Sequence, residues 1–214
     1  MRRAGSVAVI ALLACASSAH AAWYPIFRPS FVQLRPGEQA TLTVYAAWLS
    51  GISYYPFSRM TFAAQDPAVA LVDGALPTTS ETLVRVTARQ PGMTRVYVVE
   101  NGGIPAYPTT PIIVVADREL PVDIETDGVL SVKQLITLRA VSDEPEATFT
   151  WYWGPINGPY TWEVGRGREL TVVPEVALVY DYWVLMMSPR GAGTASAALA
   201  IQEQPRERQR SVRH

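Results

Sequence analysis

The chain predicts an all-β protein, two antiparallel β-sandwiches in tandem behind a short export segment. Three observations predict it. Apolar and polar residues alternate with a period of two, as in Ala40-Thr41-Leu42-Thr43-Val44, where the first, third and fifth side chains face a core. Turn formers such as Pro36-Gly37, Asp73-Gly74 and Pro91-Gly92 punctuate these runs at the short spacing that sandwich strands require. Beyond the N-terminal segment, no stretch carries the periodicity of an amphipathic helix.

Residues 1–21 read as a cleaved signal peptide. Arg2 and Arg3 give it a positive start, Ala4 to Ala14 form an apolar run too short to span a bilayer, and Ala19-His20-Ala21 places small residues where a signal peptidase reads them. The mature chain then begins at Ala22. Leu12-Leu13-Ala14-Cys15 offers an alternative, since it resembles the bacterial lipoprotein box and would make Cys15 a lipid anchor. The apolar run followed by Ala-x-Ala is complete without the cysteine, so the plain signal peptide is preferred. No later apolar run reaches the length of a membrane helix, and a secreted, periplasmic or cell-envelope location is expected.

Cys15 is the only cysteine, so a chain cut at Ala22 folds without disulfides, and each sandwich must be held by core burial. Residues 22–117 carry six Arg and six acids, residues 118–204 six basic against twelve acidic groups, and residues 205–214 four Arg against one Glu. A neutral body, an acidic second half and a basic tail argue against a nucleic-acid partner for the folded part, because phosphate binding needs a basic face. After removal of the signal peptide His214 is the only histidine, which all but removes Ser-His-Asp, Cys-His and multi-His zinc chemistry from the folded body. No catalytic residues are assigned.

The first sandwich is placed at 22–117, with strands near 31–35, 39–47, 58–65, 69–72, 82–88, 94–100 and 110–116. Ala40, Leu42, Val44 and Ala46 face inward on the second of these, and Val84 and Val86 do so beside the outward Arg85 and Thr87. Seven strands at this spacing suit a Greek key. Pro36-Gly37-Glu38 before Ala40–Val44, Asp66-Pro67-Ala68-Val69-Ala70-Leu71-Val72, and Pro91-Gly92-Met93-Thr94-Arg95-Val96-Tyr97-Val98 together resemble the bacterial immunoglobulin-like domain of the group 2 type, as in invasin- and intimin-like surface proteins. The match covers most of residues 28–117 and departs at Trp48–Pro56 and Gly74–Thr82, which are longer than a compact repeat needs. The resemblance implies a spacing or adhesive module and carries no catalytic residues.

The second sandwich is placed at 118–204, after a short polar joint, Val115 to Pro121. Ile136, Leu138 and Ala140 alternate inward, Phe149 and Trp151 follow, and Tyr180-Asp181-Tyr182-Trp183-Val184 precedes a last strand at 195–201. This half is similar to a generic immunoglobulin-like domain over residues 120–203. The resemblance implies that Trp151 is the core tryptophan, that Tyr182 is the tyrosine corner, and that Ala140 and Val184 stand where an intersheet disulfide would. Residues 205–214 have no apolar face and are expected to be a disordered basic tail.

Two segments are candidates for binding. Asp123, Glu125 and Asp127 alternate ahead of Gly128 like the first half of a calcium loop, but Gln134 stands where a closing Glu belongs. The same residues fit an edge strand with its acids outward, which discourages edge-to-edge pairing. Trp151 to Trp162 set three Trp and two Tyr around a Gly/Pro-rich loop. Tyr152, Tyr160 and Trp162 are expected to face solvent, and with Trp153 they could stack on sugar or anchor a protein partner; in the alternative Trp153, Tyr160 and Trp162 pack on one another across a hairpin. The expected function is a noncatalytic exported protein whose modules adhere to, bind or space a protein or polysaccharide of the cell envelope or extracellular space. The alternative is a carbohydrate-binding accessory module using the aromatic loop.

Overall fold

The computed structural model describes residues 23–48, 51–52, 61–78, 81–99, 111–158 and 161–203. Among them there is no helix, and none long and apolar enough to cross a membrane. The expected signal peptide, Cys15, Tyr160 and the basic tail lie outside the described residues.

The first sandwich contains β1 (Trp23–Arg28), β2 (Phe31–Leu34), β3 (Gln39–Trp48), β4 (Gly51–Ile52), β5 (Thr61–Ala64), β6 (Ala70–Pro77), β7 (Thr82–Ala88), β8 (Gly92–Val99) and β9 (Ile112–Val115). One sheet has the order β1-β3-β7-β6, with β4 on β3; the other is β2-β9-β8-β5, with β2 and β9 parallel. Phe27, Leu42, Val44, Val84 and Val86 from the first meet Phe62, Val96, Val98, Ile113 and Val115 from the second in a single buried cluster. The inward set expected on β3 and β7 is therefore inward wherever its side chains are described; that of Ala46 is not.

Two features of this half depart from the expected strands. The expected strands do not include β1, an edge strand on β3 where the ladder donor that Pro25 lacks is tolerated. Asp73-Gly74 is no strand-ending turn. The register on β7 shifts between Val72 and Gly74, so the pair forms a bulge and β6 runs on to Pro77.

The second sandwich contains β10 (Asp123–Gly128), β11 (Ile136–Val141), β12 (Thr148–Trp153), β13 (Trp162–Arg166), β14 (Glu169–Val172), β15 (Val179–Ser188) and β16 (Gly191–Ala200). Its sheets have the orders β10-β11-β14 and β13-β12-β15-β16. Trp151 is fully buried between them, and its Nε1 donates to the Gly167 carbonyl at 2.9 Å. Ala140 and Val184 are both fully buried in the same core, so apolar contact fills the space the resemblance reserves for a disulfide. The tyrosine corner shifts by two residues. Tyr180, not Tyr182, donates its hydroxyl back to the Val176 carbonyl at 3.2 Å, while Tyr182 turns into the core. Each half is a sandwich of two sheets.

Candidate functional site

The joint between the sandwiches is an apolar seam. On β9 the side chains alternate between two destinations: Ile113 and Val115 enter the first sandwich's core, while Ile112 and Val114 point out of that sandwich, yet all four are fully buried. β15 does the same, sending Tyr182, Val184 and Met186 to the second core and Trp183 and Leu185 outward. The two outward sets form one cluster with Tyr152, Ala116 and Ala192, against which Phe31, Ile156 and Met187 pack. The sheet β2-β9-β8-β5 thus lies face to face on β13-β12-β15-β16, and three apolar layers follow one another: core, seam, core.

Trp183 is the centre of the seam. Tyr152 stacks on it with centroids 4.2 Å apart and planes at 19°, and Phe31 of the other sandwich meets it edge-on at 5.4 Å and 68°. These are favoured aromatic geometries, each worth roughly 0.5–1.5 kcal/mol beyond area burial. Polar contacts fix the register of one face on the other. Ser30 Oγ donates to the Ile156 carbonyl at 3.0 Å, Gln33 Nε2 to the Ala192 carbonyl at 3.5 Å, and the Tyr152 hydroxyl to Met93 Sδ at 3.8 Å. Burial pushes the Tyr152 phenol above its usual range, opposed by the Arg95 charge beside it. Trp183 Nε1 is buried with no hydrogen-bond partner, a cost the packing around it must offset.

The segment joining the sandwiches is stitched to the second one. Leu120 N donates to the Ala192 carbonyl at 2.8 Å and Ala192 N to the Arg118 carbonyl at 3.0 Å. This close pass requires Gly191 and Gly193, because a Cβ at either would overlap the carbonyl oxygen of Arg118 or Leu120. The polar joint expected from sequence is in this respect part of the sheet edge.

The structure separates the expected aromatic site. Tyr152, expected to face solvent, is fully buried in the seam. Trp153 and Trp162 are directly opposite across β12 and β13, stacked at 5.0 Å and 30°, and remain 40% and 39% exposed. They pack on each other across the hairpin and still leave ring surface to solvent. On the other face of the sheet, that of Tyr152, Arg166 Nε pairs with a Glu163 oxygen at 2.7 Å.

Asp123, Glu125 and Asp127 are not brought together. They lie along β10, an edge strand paired only with β11, with all three exposed. An extended strand sets alternate residues roughly 6.5 Å apart along its axis, whereas calcium ligands converge to about 2.3–2.6 Å. Glu125 is opposite Arg139, which itself bridges to Glu169 at 2.8 Å. Among the described residues no group of three His, Cys, Asp or Glu could hold a metal ion.

No protein-family model and no curated protein sequence matches the chain. Solved structures similar to it include the Yersinia pseudotuberculosis adhesin InvE, at 13% identity over 84% of this chain and 58% of that one, with a TM-score of 0.34. Domains 4 and 5 of the S-layer protein SbsC are 16% identical over 43% of this chain and 53% of theirs, TM-score 0.32. The fibronectin(III)-like modules of Clostridium thermocellum CbhA are 13% identical over 84% and 95%, TM-score 0.32. The chain spans little over half the length of the first two.

Proposed function

We propose that the protein is a noncatalytic, exported binding module, built on immunoglobulin-like domains of which the first resembles the bacterial group 2 type. The observation that supports this reading is the face-to-face seam. Sandwiches joined end to end add length; sandwiches joined face to face add rigidity and leave loops and strand ends as the surfaces that can meet a partner. A role in binding or adhesion to a protein or polysaccharide of the envelope fits this geometry better than spacing. Mass spectrometry of protein recovered from the envelope and medium tests the export it requires. A chain beginning at Ala22, or an acylated Cys15, supports the reading; an intact N-terminus found only in the cytosol overturns it.

A carbohydrate-binding role is the second reading, favoured by one observation: Trp153 and Trp162 keep ring surface exposed. Exposed aromatic faces suit sugar rings. Saturable binding on a glycan array that Trp162→Ala abolishes would support it, and silence across the array would leave the first reading alone.

A further inference from the structure

We infer that β16 takes up an extended segment of a partner polypeptide as an added strand, on the edge that the second sandwich leaves open. β16 pairs with β15 alone, in unbroken register from Gly191 to Ala200. In an antiparallel ladder successive residues turn their N–H and C=O groups alternately toward the neighbouring strand and away from it. Ala192 turns both away, since its N donates to the Arg118 carbonyl and its carbonyl accepts from Leu120 N; Gln202 does the same toward Leu130 and Val132. By this alternation Thr194, Ser196, Ala198 and Ala200 direct four N–H and four C=O groups off the sheet, where they meet no hydrogen-bond partner among the described residues. The other edge strands described carry devices that discourage an added strand. β1 has Pro25, β6 a bulge and Pro77, β10 three acids and β13 Glu163 and Arg166, while β2, β4, β5 and β14 have four residues or fewer. β16 has ten residues without a charge, a proline or a bulge.

The limits of the opening select the occupant. The joint bridges to β16 at Ala192 and the loop between β10 and β11 bridges to Gln202, both in the plane that an added strand would take. Between them there is room for about seven residues, opposite Thr194 to Ala200. β16 of a second copy is longer than this and is held by the same two bridges, so in an antiparallel pairing its ends would run into them; a flexible segment can enter and leave the plane there. Side chains set the remaining chemistry. The bridges put β10 and β16 on the same side of the sandwich, and there Val122, Ile124 and Ala195 pack on the second core yet stay half-buried. An added strand lays alternate side chains over them, and β16 offers no charge to pair with. The segment recognised therefore has apolar, β-branched residues at alternate positions and uncharged ones between them.

The proposal names the contact surface of the binding module and rests on that reading. Its probe is a blocked peptide, Lys-Thr-Val-Thr-Val-Thr-Val-Thr-Lys, titrated into the isotopically labelled protein while amide hydrogen exchange is followed by NMR. In the free protein the amides of Thr194, Ser196, Ala198 and Ala200 are expected to exchange faster than those of Ala195, Ala197 and Leu199, which bond to β15. Saturable binding should slow those four amides roughly tenfold or more. Ala198→Pro, which removes an N–H that β15 does not use, should weaken binding by roughly tenfold or more, an unchanged melting temperature verifying that the variant is folded. The same peptide N-methylated on its threonines, whose N–H groups would face β16, should not bind the parent protein. Protection of other amides instead, binding indifferent to both Ala198→Pro and N-methylation, or no binding at millimolar peptide overturns the proposal. So does protection of the four amides that grows with protein concentration in the absence of peptide, which would give the edge to a second copy. Each of these outcomes leaves export, and the reading tested by it, untouched; an unprocessed cytosolic chain overturns that reading whatever the peptide does.

Discussion

At the residue scale the account turns on a few side chains that do two jobs. Trp183 belongs to the second sandwich by sequence but is buried by the first, so truncating it removes contact from both. Trp183→Ala is expected to cost about 3–5 kcal/mol, the range for deleting a buried large aromatic. Trp162→Ala, on a side chain 39% exposed, is expected to cost less than about 1.5 kcal/mol, the worth of its ring pair. Urea denaturation of both variants checks this, and similar losses would contradict the seam. Gly193→Ala is expected to destabilise by roughly 2 kcal/mol although it adds only a methyl group, because that methyl would fall on the Leu120 carbonyl; an unchanged denaturation midpoint would show that the joint is not held there. The sequence made Trp151 legible as a core residue through its period-two neighbours. It did not disclose Tyr152, whose place at an outward-facing position is the same whether a second domain or water covers it.

Strands carry the signal that could have revealed the seam. Ile112-Ile113-Val114-Val115 and Trp183-Val184-Leu185-Met186 are continuous apolar runs where a half-exposed strand would alternate, and such runs mark strands buried on both faces. Alternation on β3, β7 and β11 was legible for the converse reason: their outward faces meet solvent, except at Tyr45, which β1 covers with Ile26. The bulge at Asp73-Gly74 was not legible, since the same dipeptide makes a turn or a bulge according to what the next strand pairs with. The acids of β10 were legible only as alternatives, because alternation of carboxylates is common to a loop and a strand. The element scale also sets a pH dependence. Burial raises the phenols of Tyr152 on β12 and Tyr182 on β15 above the ordinary value of 10.0. Between the unfolded and folded values the native state retains protons that the unfolded chain has released, so the contribution of these phenols to stability is complete below pH 10 and declines as pH rises through the folded values. Chemical denaturation across the alkaline range should show that decline, and Tyr152→Phe should make it shallower; an identical slope in the variant would remove Tyr152 from the seam.

At the scale of the whole molecule, tandem domains were legible in the sequence and their coupling was not. Composition and turn spacing divide the chain near residue 117, and the joint there reads as polar. Physical continuity comes instead from residues far apart in sequence, Phe31 and Ile112 against Tyr152 and Trp183, a juxtaposition that only the folded chain displays. Two sandwiches sharing an apolar layer should unfold together, whereas independent domains should not. Differential scanning calorimetry of the protein and of Val114→Asp, which places a charge in the seam from the first sandwich's side, measures this directly. The account predicts one cooperative transition for the parent and, in the variant, separation into two, with the second sandwich melting at a lower temperature than before. Two independent transitions in the parent, with that of the second sandwich unmoved by Val114→Asp, would contradict it.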